Sequence, residues 1–180
     1  TRHTDFVYFF IGSFIGGGIV LNSSLYTGRT GNAGALGSMP VPDEKGGSRQ
    51  LIDAASIFVL EAMLRAENID PSPLWYAPED WIDFGKPLSD WIDLTSRALA
   101  HAIVSSASVI DFGAAVIDGG FPEWVKSRVI KATREAVNKF DLQGIELPDI
   151  LAGEVGSHAR SIGGASLPLF SRYLLDLNIF

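Results

Sequence analysis

Cysteine is absent from this chain, and methionine occurs only twice. Without cysteine no disulfide can form, and no thiolate is available to hold zinc. Histidine is nearly as scarce. His3, His101 and His158 are far apart in sequence and none has an obvious ligand partner nearby, so each reads as a surface or capping residue rather than a metal ligand. Positive charge is also in short supply: 14 Lys and Arg against 21 Asp and Glu leave a net charge of −7. That argues against these residues gripping nucleic acid, because neutralising phosphates needs clustered cations. Long apolar runs are missing as well. The stretch Phe6–Phe14 is interrupted by Gly12 and Ser13, and it falls well short of the roughly 20 residues of a membrane helix. No basic segment of the secretory type precedes it, so the expected setting is the cytoplasm, with no membrane partner.

What is present is ordinary for a globular protein: 47% hydrophobic and 19% charged residues in a chain of 180. That length suffices for one domain with a sizeable core. No internal repeat and no linker is visible, so residues 1–180 are expected to form a single domain. The chain opens on Thr1, directly before a strongly apolar segment, and reads as a piece of a longer polypeptide.

Residues Phe6–Ile11 are aromatic and β-branched and predict a buried strand. Gly16, Gly17 and Gly18 then predict a tight turn, Ile19–Leu21 a second strand, and Asn22–Ser24 a further turn: a β-meander. Arg29–Gly37 is rich in small residues and reads as a shaped loop, and Asp43–Ser48 as a polar connection. Apolar residues at helical spacing predict a long helix over Arg49–Glu67 and another over Leu88–Ser108. Between them, three prolines in Asn68–Gly85 indicate a loop with a short helix, whose Trp75, Tyr76 and Trp81 are expected to pack down onto the domain. A strand over Val109–Asp118, a helix from Pro122 to Phe140, a short strand over Glu146–Leu151 and a last helix from Gly156 to Leu175 complete an α/β pattern. The charged set Lys126, Arg128, Lys131, Arg134, Glu135 and Lys139 reads as the exposed side of its helix. Asp80, Asp83, Asp90 and Asp93 lack the spacing of a calcium loop and read as a solvated face.

Glycines between two strands let backbone N–H groups approach an anion closely, which makes the Gly12–Gly18 cluster a candidate phosphate turn. The longer stretch Phe9–Val41, FFIGSFIGGGIVLNSSLYTGRTGNAGALGSMPV, is more specific. It resembles the ROK family (repressor, open reading frame, kinase), in which a strand enters GTGIGGG and the chain then reaches a GxxGxAGEIGHM segment. The run Val116–Glu123, VIDGGFPE, is similar to the family's apolar strand followed by GGGLPE, and Ile162–Leu167 resembles its glycine-rich final helix.

The resemblance implies a ribonuclease H-like fold of the actin-like ATPase and sugar kinase type. This chain would be the carboxy-terminal lobe, a mixed sheet with flanking helices. It also implies a preceding lobe that holds the family's amino-terminal phosphate loop and an Asn-Asp pair whose aspartate is the catalytic base. Neither lies in this sequence, so the chain by itself is expected to transfer no phosphoryl group. By the same resemblance Gly12, Ser13, Gly16, Gly17, Gly119 and Gly120 would border phosphate or nucleotide. Asn32, Gly34, Ser38 and Asp53 would form the sugar-side wall, with Arg29 beside it.

The departures from the family pattern are informative. Ala35 and Ser38 stand where the family carries a sugar-binding glutamate and a histidine, and alanine cannot accept a sugar hydroxyl's hydrogen bond. Pro42–Gln50 replaces the family's zinc-binding cysteine cluster, so no zinc is expected. Ile52 and Asp53 align with a further sugar-binding glutamate, and Phe14 stands where the phosphate turn has glycine. Together these imply a sugar-sensing, self-associating lobe of a transcriptional regulator. Its effector would be a sugar or sugar phosphate, its state a dimer, and its DNA contact a helix-turn-helix outside these residues. The alternative is the same lobe of an ATP-dependent sugar kinase, with ATP and Mg²⁺ bound only in the full-length chain.

Overall fold

The structure, a computed structural model, describes residues 3–156. Apart from Gly156 itself, the expected helix from Gly156 to Leu175, with His158 and the Ile162–Leu167 segment, lies outside the described residues. Within them, five strands form a sheet in the order β3-β2-β1-β6-β7. These are β1 (Phe6–Ile11), β2 (Ile15–Leu21), β3 (Ser24–Tyr26), β6 (Ala114–Gly119) and β7 (Asp149–Ala152). β1 pairs antiparallel with β2 and parallel with β6, and β6 pairs parallel with β7. The result is the expected α/β lobe with a mixed sheet. Side-chain alternation along β1 sends Val7, Phe9 and Ile11 into the core, while β6 is buried at every position, as a central parallel strand should be.

The glycine run lies elsewhere than expected. Gly16, Gly17 and Gly18 are inside β2, paired with Phe10, Phe9 and Tyr8, and the reversal is made by Gly12–Phe14. Of the three, Gly17 is the one that close packing requires. A Cβ on Gly17 would lie 2.1 Å from the Tyr8 carbonyl oxygen and 2.5 Å from a Leu36 methyl. Gly34, with φ of +76°, rests directly on Gly18, so the small-residue segment and its 3-10 turn Leu36–Ser38 lie flat against the hairpin.

The polar connection is itself a hairpin of β4 (Pro40–Pro42) and β5 (Ser48–Gln50). Asp43 Oδ1 organises its turn by accepting from the backbone N–H of Lys45 and Gly47 at 2.8 and 2.7 Å. The helix expected over Arg49–Glu67 therefore starts later, after β5, and is broken once. After β5 come α1 (Ile52–Ala55) and α2 (Ile57–Ala66), separated by Ser56 in an extended conformation with ψ of 153°. Ser56 is fully buried. Its Oγ accepts from the Ile15 N–H at 2.9 Å and donates to the Ile52 carbonyl at 2.6 Å. Helical periodicity continues through the break, but the hydroxyl's alternative partners end the helix.

Other elements depart from expectation only at their ends. α3 is the short helix Pro73–Tyr76, α4 spans Lys86–Ala107 and α5 spans Glu123–Val137. β6 begins at Ala114 rather than Val109, and β7 is shifted to Asp149–Ala152. α4 is the spine of the core. Its Trp91 is fully buried, donates from Nε1 to the Ser56 carbonyl at 3.0 Å, and meets Phe121 edge-on at 6.0 Å. Trp81 packs inward against Phe84 and Phe121, whereas Tyr76 is 88% exposed and does not pack down. Among the described residues no helix is long and apolar enough to cross a membrane.

Replacing Ser56 by alanine leaves the buried Ile15 N–H without its acceptor, and an unmet buried donor costs about 1–3 kcal/mol. The Ser56→Ala chain should therefore unfold at lower urea with an unchanged slope. A midpoint equal to that of the unaltered chain would count against the role given to this hydroxyl.

Candidate functional site

The β1–β2 turn is held by the start of α2. The first N–H groups of a helix lack partners within it, and here those of Ile57 and Phe58 donate to the carbonyls of Gly12 and Ser13 at 3.0 and 3.3 Å. On the other side, the Gly120 N–H donates to the Ile11 carbonyl at 3.0 Å, which brings the Gly119–Gly120 pair beside the same turn. The resulting cleft has a volume of about 330 Å³, and its walls include Phe10, Gly12, Ser13, Phe14, Trp75 and Gly120. Phe14 leans on Phe58 with ring centroids 5.4 Å apart and is 62% exposed. Trp75 is fixed by a hydrogen bond from its Nε1 to Glu61 at 2.9 Å. The cleft thus combines a polar backbone rim with aromatic walls.

The residues singled out in the sequence fall into separate groups. Gly12, Ser13 and Gly120 line this cleft together, and Gly119 adjoins it at the buried end of β6. Gly16 and Gly17 lie in the β2 ladder and do not line it. Gly34 and Ser38 line a second hollow of about 540 Å³, against the second half of α4 with His101, Ser105 and Phe112. Asn32, exposed in the loop after Thr27, and Asp53, exposed on α1, line neither hollow.

Sequence reasoning missed a buried ion pair at the edge of the cleft. Asp118, at the end of β6, is fully buried and accepts from several sides. The Tyr8 hydroxyl donates to it at 2.8 Å and the Gly119 N–H at 2.8 Å. The N–H groups of Val155 and Gly156 each donate at 2.9 Å, and the Lys126 ammonium lies 3.4 Å away. Lys126 also donates to the Gly153 carbonyl at 2.8 Å and pairs with Glu123 at 2.9 Å. The expectation that Lys126 belongs to an exposed charged face is therefore corrected: it is 5% exposed and points into this cluster. Its signal was available, since Asp118 is the one charge inside the apolar run Ala114–Gly120 and a buried charge needs a partner.

Burial would push the Asp118 carboxyl up, but the Gly156 N–H, the Tyr8 hydroxyl, the Gly119 N–H and the Lys126 charge outweigh it and hold it below the usual range. Burial likewise raises the Tyr8 phenol, helped by the facing carboxylate. With its oxygens committed in this way, Asp118 acts as a clamp on the segment Gly153–Gly156.

A carboxyl held below its unfolded value stabilises the fold above that value, about 3.9, and loses this contribution as pH falls through the folded pKa. Asp118→Asn should destabilise the chain by about 1–3 kcal/mol near pH 7, because the buried N–H and hydroxyl donors around it lose a charged acceptor while Lys126 keeps only Glu123 as its charged partner. The variant should also show a flatter stability profile below about pH 4. Parallel acid profiles for the two chains would refute this account.

Comparison with known proteins agrees with this geometry. Residues 1–50 match the ROK family. The chain is 30% identical over 167 residues to the bifunctional enzyme NanE/NanK of Brucella melitensis, an alignment covering 92% of this chain and 31% of that protein. It therefore spans about a third of the length of the curated relatives it matches. Among solved structures, a ROK family glucokinase from Streptomyces griseus in complex with glucose and AMPPNP superposes with a TM-score of 0.65 at 22% identity, covering 93% of this chain and 61% of that one. A ROK family transcriptional regulator, a homologue of the E. coli MLC protein, superposes with a TM-score of 0.58 at 23% identity, covering 83% and 41%. The fold is thus similar to that of these solved proteins, a mixed α/β lobe of the actin-like, ribonuclease H-like type. Over its first 50 residues the chain matches the ROK family's sequence, and its fold is similar to that of the solved ROK family proteins.

Proposed function

We propose that this lobe helps bind a sugar or sugar phosphate as the effector half of a ROK-type transcriptional regulator, and that it transfers no phosphoryl group. The observation that carries this reading is Phe14. Its exposed ring stands in the turn beside Gly12 and Ser13, where the family pattern has glycine, and takes up room that a closely approaching phosphate chain needs. Ala35 and Ser38 support it by removing a carboxylate and an imidazole from the sugar-side segment. In this reading Asn32, Gly34, Ser38 and Asp53 meet the sugar only when a second lobe closes over them. Closure would change the spacing of DNA-binding heads carried on segments outside these 180 residues, within a cytoplasmic dimer.

A second reading, the matching lobe of an ATP-dependent sugar kinase, is favoured by a specific observation. Gly119 and Gly120 remain glycines and sit against the turn through the Gly120–Ile11 hydrogen bond. The glucokinase that shares this fold was solved with glucose and AMPPNP. There, Gly12, Ser13, Gly119 and Gly120 would border ATP and Mg²⁺, with Gly16 and Gly17 behind them, and the metal would neutralise charge on the phosphates.

Calorimetry on a longer protein containing the first lobe separates the two. The regulator reading expects saturable heat with a sugar or sugar phosphate, none with AMPPNP, and no sugar-dependent ATP turnover. It also expects AMPPNP binding to be gained in Phe14→Gly. Sugar-dependent ATP consumption by the unaltered protein would establish the kinase instead.

A further inference from the structure

The hollow between the β4–β5 hairpin, α4 and the end of α5 lies apart from the cleft and has a volume of about 360 Å³. Its floor is apolar, built from Leu94, Ala98, Ala136 and Phe140. Three nitrogen-bearing side chains, Arg97, His101 and Lys139, stand around it. Two carboxylates, Asp43 and Glu44, complete the rim. The larger hollow on the other side of His101 has no lysine or arginine in its lining.

The rim cations are only loosely engaged within the protein. Lys139 makes no side-chain hydrogen bond or ion pair among the described residues. The His101 ring stands edge-on to Phe140 at 6.1 Å, with Nδ1 at 3.4 Å from the Ser105 hydroxyl. Arg97 meets one carboxylate, that of Glu44 on the hairpin turn, at 3.5 Å, with both side chains more than half exposed. Such an exposed pair is weak and easily exchanged. Asp43, the other acidic residue of the hollow, is already engaged by the Lys45 and Gly47 N–H groups. Glu44 is therefore the one carboxylate of the rim that an incoming anion would have to displace.

We propose that this hollow binds a small organic carboxylate with an apolar body. The carboxylate would displace Glu44 from Arg97 and take hydrogen bonds from Arg97 and Lys139, while the hydrocarbon covers Leu94, Ala98 and Phe140. Charge-assisted pairs of this kind are the stronger hydrogen bonds, and the apolar floor favours a hydrocarbon-bearing anion over a fully hydrated one such as phosphate. The site is independent of the cleft and of the function proposed for it. Lys139 follows the end of α5, where a cation is favoured on any helix, so the test must separate ligand binding from that role.

Octanoate below its micellar concentration serves as the probe, with octanol and inorganic phosphate as controls, titrated into the 180-residue chain by calorimetry and by amide chemical shifts. One saturable octanoate site is expected, with shifts confined to residues 43–44, 94–101 and 136–140. Octanol, phosphate, and octanoate on Arg97→Gln or Lys139→Ala should each bind about tenfold more weakly, the scale of one lost charge-assisted bond. Glu44→Gln should bind octanoate more tightly. All three positions are exposed or rim residues, and thermal unfolding checks that each variant is folded. Equal binding of octanol, equal binding by folded Arg97→Gln and Lys139→Ala chains, shifts centred on residues 12–14, or no saturable site would each overturn the proposal.

Discussion

The arrangement depends on a short exchange of backbone hydrogen bonds around Ser56. By leaving the helical conformation there, the chain frees the first N–H groups of α2 to meet the carbonyls of Gly12 and Ser13. The serine hydroxyl meets the Ile15 N–H just beyond the turn, and its carbonyl receives the Trp91 indole from α4. One residue thus ties hairpin, helix and core spine together. The cleft inherits its shape from this junction, since both sides of the β1–β2 reversal are held by it. An unbroken helix over these residues would have no open N–H groups to offer the hairpin.

The second constraint lies across the cleft, where β6 ends. Gly119 and Gly120 are positioned by Asp118 on one side and by the Ile11 carbonyl on the other. The carboxylate also binds the backbone that follows β7, while Lys126 grips Gly153. Charges buried this way contribute little net stability compared with an apolar cluster of equal volume, yet removing one partner is costly. Their effect is to hold the border of the cleft in one geometry.

Much of this was legible from residue types alone. β1, α4 and α5 were evident because alternation and helical spacing coincide with real burial along them. The family likeness in Phe9–Val41 was legible because a long ordered run of glycines and small residues carries more information than any one motif. What escaped depended on contacts between distant segments. Glycines 16–18 suit a turn or a tightly covered strand equally well, and only the approach of Leu36 and Gly34 decides between them. The break at Ser56 is invisible to periodicity because α1 and α2 bury residues on both sides of it. Lys126 looked solvated among other charges until Asp118 was found facing it. The sugar-side set, drawn from sequence likeness, is spread over the loop after Thr27, the hairpin flank and α1, and a single lobe does not gather it in one hollow.

The Asp118 clamp draws on β1, β6, α5 and the stretch after β7 at once. Lifting β7 and the stretch after it would cost Asp118 two backbone donors and Lys126 its carbonyl partner all at once. Fraying strand by strand, the usual way a sheet edge loosens, is thereby discouraged. This rim of the cleft should open as a unit or stay shut, which gives it the behaviour of a latch.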